Sequence, residues 1–234
     1  MSPRGCLASL LAFIAIVVVV LWFALPPVVG GLAAGALTAV GFNGTDTRVE
    51  VAANPPLRLL FLDADRVHVQ SSSASIRNVK ADSVDLTLRD VSIGGRRFGF
   101  IEGTLEGVRI TPDEGPTVEA SAVQIAGPAE AARVTMTLDA GEVQRLVSSA
   151  VARGLGLTAG RITLTSPDRV SVALAKSTLA GQFVVNAAGD LVLQPAVGGP
   201  LLLLGTGPDQ PIRLQSVQVA GDALEVAGVL DLRQ

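Results

Sequence analysis

The chain of 234 residues has no tyrosine, one tryptophan, one histidine and one cysteine. With a single cysteine no disulfide framework can form, so any folded domain is held by its core alone. One histidine and one cysteine, far apart in sequence, do not make a zinc or iron site. Aromatics are too scarce to stack bases or sugars: after residue 25 only Phe42, Phe61, Phe98, Phe100 and Phe183 remain. Basic residues are scattered, with Arg96-Arg97 the sole adjacent pair, and the net charge is −3. A nucleic-acid surface needs a clustered basic stripe, so that partner is excluded.

Catalytic patterns are missing as well. No G-x-S-x-G elbow and no G-x-x-x-x-G-K phosphate loop occur. His68 alternates between Val67 and Val69, which predicts a place on the polar face of a strand rather than a catalytic role. The carboxylates are spread out, and the close ones, Asp63/Asp65 and Asp113/Glu114, fall at turns. The sequence therefore nominates no catalytic residue, no metal ligand and no cofactor.

What is abundant is aliphatic surface. Leu7 to Leu25 is an uncharged run holding thirteen Leu, Ile, Val or Phe residues. On an insertion scale these supply about −4 to −8 kcal/mol, and the run is long enough to cross a bilayer. Pro26-Pro27 follows directly, a poor site for signal peptidase, so the expectation is an uncleaved transmembrane signal-anchor over 7–25. Arg4 precedes the run and no positive residue follows it until Arg48. The positive-inside bias then keeps residues 1–6 cytoplasmic and exports residues 46–234, giving a single-pass protein of the cell membrane. Residues 28–42, rich in Gly and Ala, are too short for a second span and read as a helix or linker. Their Gly31/Gly35 spacing offers a close-packing face for a homodimer or an envelope partner.

From Thr45 onward, period-two alternation predicts many half-buried strands, as in Val84-Asp85-Leu86-Thr87-Leu88 and Val170/Val172/Leu174. Asp65-Arg66-Val67-x-Val69 recurs as Asp168-Arg169-Val170-x-Val172, a hint that two halves repeat one strand motif. One segment follows the helical period: Asp139 and Glu142 make a capping-box-like start. Val143, Leu146, Val147, Ala150 and Val151 then form an apolar stripe, with Gly154 and Gly156 as the stop. Pro55-Pro56-Leu57-Arg58-Leu59-Leu60-Phe61-Leu62 and Leu201 to Leu204 fit no alternating strand and read either as core or as a lipid-contacting rim.

Thr47 to Val51 leading into Asn54-Pro55-Pro56-Leu57, the strand Asp65 to Ser71, Ser83 to Val91, the Asp139-led helix and the closing Ser216 to Gly228 follow one another in a telling order. In that order and pattern the chain resembles the LmeA-like phospholipid-binding family of bacterial envelope proteins. The resemblance implies an elongated curled sheet with helices, enclosing an apolar cavity that takes phospholipid acyl chains outside the cytoplasm.

The expected fold is thus α+β and β-rich: a curled, mostly antiparallel sheet with one or two covering helices around an apolar cavity, preceded by one transmembrane helix. The lipid-binding candidates are Leu57, Leu59, Leu60, Phe61, Phe98, Phe100, Val143, Leu146, Val147, Val151, Leu202 and Leu204. Arg58, Arg96 and Arg97 are the candidates for a headgroup phosphate. The expected function is non-enzymatic: phospholipid binding at the membrane for envelope lipid maintenance or transfer. The alternative is an envelope interaction module with a packed core and no ligand. The interior discriminates them, because lipid needs open space beside Leu146, Val147 and Val151, and a scaffold does not.

Overall fold

A computed structural model describes residues 42–76, 79–92, 94–95, 97–111, 117–205 and 212–230. The anchor expected over 7–25, the Gly31/Gly35 face and Arg96 lie outside the described residues. In chain order the elements are β1 (Phe42–Thr45), β2 (Arg48–Ala52), a 3-10 turn (Pro56–Phe61), β3 (Asp63–Ser71), β4 (Ser73–Ile76), β5 (Val79–Ala81) and β6 (Ser83–Ser92). Then come β7 (Phe100–Ile110), β8 (Val118–Pro128), β9 (Ala132–Leu138), α1 (Ala140–Leu155), β10 (Ala159–Thr165) and β11 (Arg169–Leu174). The last are β12 (Thr178–Val185), β13 (Leu191–Pro195), β14 (Leu201–Leu204), β15 (Ile212–Ala220) and β16 (Ala223–Leu230).

The alternating apolar residues predict half-buried strands, and the strands pair throughout in antiparallel fashion. They form two sheets. Strands β10 to β14 make a five-stranded meander, and the other eleven make the larger sheet. Within that larger sheet, pairing passes from Arg48↔Gln70 to Thr45↔Ser73, and from Ser71↔Val84 to Ala74↔Ala81, without a change of register. The couples β1/β2, β3/β4 and β5/β6 are therefore three long strands, each interrupted once.

The interruptions line up as a crease across the sheet, through Asp46, Ser72, Asp82 and Gly107. Asp46 has φ 51° and Gly107 φ 58°. Ser71 Oγ is buried at the crease, 3.0 Å from the Thr45 carbonyl and 2.6 Å from that of Ser73. Glycine is required at 107 for a second reason, since an added Cβ would lie 2.2 Å from Asp82 Oδ2.

The small sheet and α1 are inserted between β9 and β15, and β16 returns to pair with β9. Asp139 caps α1 by accepting from the Glu142 N–H at 2.8 Å, as the sequence predicts. The helix runs on through Gly154 and ends at Gly156, whose φ is 67°. It packs on β8 and β16 of the large sheet and on β10 and β14 of the small one. Its stripe belongs to one core cluster with apolar residues from both sheets, including Leu138, Val226, Val172, Leu191 and Leu201.

This arrangement corrects the expected fold. There are two sheets rather than one curled sheet, and the single α-helix among the described residues lies between them instead of covering a cavity. Val147 and Val151 have no surface exposed, and Val143 and Leu146 only 2%. A space wide enough for an acyl chain would leave its lining accessible, so none exists beside the stripe. The physical reason is the second sheet: Val170, Val172, Leu191 and Leu193 supply the apolar face that fills the space a lipid would have taken. No helix among the described residues is long and apolar enough to cross a membrane. A smaller cluster of Val51, Leu59, Ala64, Val67 and Val69 forms a satellite core under the 3-10 turn.

Candidate functional site

Among the described residues, the 3-10 turn is where large exposed apolar side chains cluster: Leu57, Leu60, Phe61 and Leu62. Pro55 is extended and Pro56 begins the turn, where its fixed φ suits the first helical position. The Arg58 N–H donates to the Pro55 carbonyl at 3.1 Å, and the Leu62 N–H to that of Leu59 at 3.0 Å. With about three residues per turn, residues three apart share a face. Pro56 and Leu59 form the buried face, Leu59 at 1% exposure seated on the satellite core. Leu57 and Leu60 share a second face, and Arg58 and Phe61 a third. Phe61 is 77% exposed and Leu60 52%, with Leu57 and Leu62 also exposed.

The turn is clamped. Asp65 on β3 accepts from the Arg58 guanidinium and from the Asn54 N–H. Leu62 closes the turn in the left-handed region at φ 60°, which sends the chain back as β3. The Gly94-Gly95 turn between β6 and β7 lies alongside, for a Cβ added at Gly94 would be 3.8 Å from Leu62 Cδ1. The Ser92↔Arg97 bridge closes that turn and leaves Arg97 exposed at the same end of the sheet. The result is a convex apolar tip, held by hydrogen bonds, with two arginines at its base.

Comparison with family models, with curated proteins and with solved structures finds no match. The site must be read from its own geometry.

The structure divides the predicted residues into three groups. Leu57, Arg58, Leu60 and Phe61 come together at the tip, with Leu59 beneath them as its root. Arg97 shares that end, as do Phe98 and Phe100, both half-buried, with the Arg89 guanidinium 5.8 Å from the Phe100 ring centre. Val143, Leu146, Val147 and Val151 are core and line no site. Leu202 is exposed and Leu204 half-buried on β14, the edge of the small sheet, away from the tip in the topology. Leu62 and Asp65 were not among the predicted site residues. Their signal was the repeated Asp-Arg-Val-x-Val motif: residues 166–168 suffice between the paired Thr165 and Arg169, whereas residues 53–65 lie between the paired Ala52 and Arg66. The excess in the second case is the tip.

A concavity follows the crease, an open polar cleft of about 670 Å³ lined by Asp46, Thr47, Arg48, Gln70, Ser72, Asp85 and Glu106 among others. Its polar groups are bonded to one another: Gln70 Nε2 donates to Asp85 Oδ2 at 3.0 Å and Ser83 Oγ to Glu106 Oε2 at 3.1 Å. His68 lies near it on the large sheet, half-buried, with Nδ1 3.0 Å from Thr87 Oγ1 and Nε2 3.6 Å from Asp85 Oδ1. Thr87 sits directly opposite His68 on a flat pair of strands, without the tight turn that exposes a nucleophile beside an oxyanion site. Among the described residues no group of acidic, His or Cys side chains could hold a metal.

Proposed function

We propose that this is a non-enzymatic, membrane-anchored phospholipid-binding protein whose described domain lies outside the cytoplasm and touches lipid with its tip. The observation that carries the reading is the exposure of Leu57, Leu60, Phe61 and Leu62 on a turn whose other face is rooted in the core. A turn serving only to connect β2 and β3 needs no such residues. The occupant follows from the rest of the chain. The uncharged run Leu7–Leu25 holds the domain beside a bilayer, where the effective lipid concentration is high. A convex apolar tip with the exposed Arg97 at its base, Arg58 being engaged by Asp65, matches acyl chains beneath anionic headgroups. The binding mode is contact at the tip, with no acyl chain taken into the interior.

The test uses the full chain reconstituted into concentrated vesicles of phosphatidylglycerol and phosphatidylcholine that carry a photoactivatable acyl chain. Cross-links to residues 57–62, in addition to the anchor, are expected. Burying Phe61 is worth about 2 kcal/mol, so Phe61→Ser should cut the tip cross-link about 30-fold. Cross-links confined to the anchor would overturn the reading. They would favour the interaction module, which the packed interior and the exposed Leu202 on edge strand β14 support.

A further inference from the structure

Outside the tip, the large apolar side chains exposed among the described residues are Leu155, Leu157, Val197 and Leu202. Leu155, Leu157 and Leu202 gather where α1 ends beside β14. Gly154 lies against Leu201, and Arg153 Nη2 approaches the Leu202 carbonyl at 3.5 Å. The helix end therefore carries Leu155 to the Leu201 side of the strand, while Leu202 points to the other side by strand alternation. Leu202 also ends an apolar row, for Val184 pairs with Val192 and Val192 with Leu202. Because β14 is the last strand of the small sheet, an open edge runs between these two apolar sides. Charge there has one sign. No Asp or Glu occurs from Val143 to Pro167 or from Leu191 to Gly205. Arg161 is exposed on β10, and the exposed Arg153 touches only the Ser149 and Leu202 carbonyls among the described residues.

We infer that this edge docks an extended, acidic and apolar segment of a partner protein, which adds to β14 and lengthens the small sheet by one strand. The backbone of that segment takes the free N–H and C=O groups of the edge. Its alternating side chains meet Leu202 on one side and Leu155 and Leu157 on the other. A carboxylate on it meets Arg153 and displaces the long contact to the Leu202 carbonyl. Two other occupants are opposed. A second copy pairing β14 with β14 about a two-fold axis would bring both Arg153 guanidiniums to one edge with no acid between them. A bilayer interior offers the edge no hydrogen-bond partners. This docking is separate from lipid contact at the tip and does not depend on it.

The test uses the full chain in phosphatidylcholine nanodiscs with two dye-labelled synthetic peptides, one alternating valine with glutamate and one alternating valine with lysine. The glutamate peptide should bind saturably by fluorescence anisotropy, about tenfold tighter than the lysine peptide, and should slow amide hydrogen exchange over residues 201–204. Arg153→Glu should reverse the preference, a gain for the lysine peptide that a misfolded variant would not show. Equal affinity for both peptides, no binding, or slowed exchange at residues 57–62 instead would overturn the inference. Slowed exchange at 201–204 that rises with protein concentration in the absence of peptide would also overturn it, by assigning the edge to a second copy. Slowed exchange there that appears only when phosphatidylglycerol replaces phosphatidylcholine would overturn it by assigning the edge to the bilayer.

Discussion

Leu59 and Phe61, two positions apart on one short turn, have opposite duties, and substitution separates them. Leu59 is almost fully enclosed by the satellite core, so Leu59→Ala removes packing and leaves a cavity. A loss of about 2–4 kcal/mol is expected in urea unfolding, with the tip freed from its seat. Phe61 is mostly in water already, and Phe61→Ser should leave that unfolding curve within about 0.5 kcal/mol while removing tip cross-linking. Glu142 is the other decisive residue. It is 6% exposed, accepts from the Glu119 N–H at 2.9 Å and takes two bonds from Arg145, at 2.8 and 2.6 Å. This pair ties the first turn of α1 to β8. The hydrogen bonding that the Arg145 guanidinium donates to Glu142 is the main reason that its pKa is held above the ordinary value. A raised value means the contribution of Arg145 is complete at every pH below arginine's ordinary range and fades only as pH rises through the higher folded value. Arg145→Met leaves the carboxylate buried with fewer partners and, since Arg145 itself is half-exposed and Glu142 keeps the Glu119 N–H, should cost about 1–2 kcal/mol in urea unfolding. Arg145→Lys should recover only part of this, because the ammonium cannot bond both oxygens in the same fork.

At the scale of elements, the crease and the helix each depend on a close approach. Gly107→Ala brings both a positive φ and a clash with Asp82, and should lower stability by at least about 1 kcal/mol, read as a drop in the thermal midpoint. Gly154 meets Leu201 of β14 so closely that an added Cβ would lie 2.4 Å from Leu201 Cδ2. The sequence reads Gly154 as a helix stop, but α1 continues past it, because what the position lacks is room rather than helical geometry. Helix and strands were legible because their periods are local: the stripe from Val143 to Val151 and the alternation in β6 are written in neighbouring residues. The helix's partner was not legible. An apolar stripe needs an apolar face, and either a lipid or a second sheet satisfies that need. The tip was half legible, since a double proline before dense leucines excludes a strand, yet only the fold decides which leucine goes under and which out.

For the whole molecule, the closed interior makes its own prediction. Gentle purification of the full chain followed by native mass spectrometry should show no phospholipid held in stoichiometric amount once detergent and anchor-associated lipid are stripped. A tightly retained lipid would require space that Val147 and Val151 do not leave. Leu146→Arg, in turn, should prevent folding outright, read as loss of the cooperative unfolding transition, because no water-filled space is there to receive the charge. The insertion of α1 and the small sheet between β9 and β15 bears on how the molecule is made. A chain emerging from its N-terminus completes β1 to β9 first, and β9 then waits with an unpaired edge while every residue from Ala140 to Leu204 is still to come. Only β16, the last strand described, can close that edge, through Leu224↔Leu138 to Leu230↔Ala132. Synthesis halted before β16 therefore leaves a sheet open to a neighbouring chain, and the final strand acts as the seal against self-association during folding.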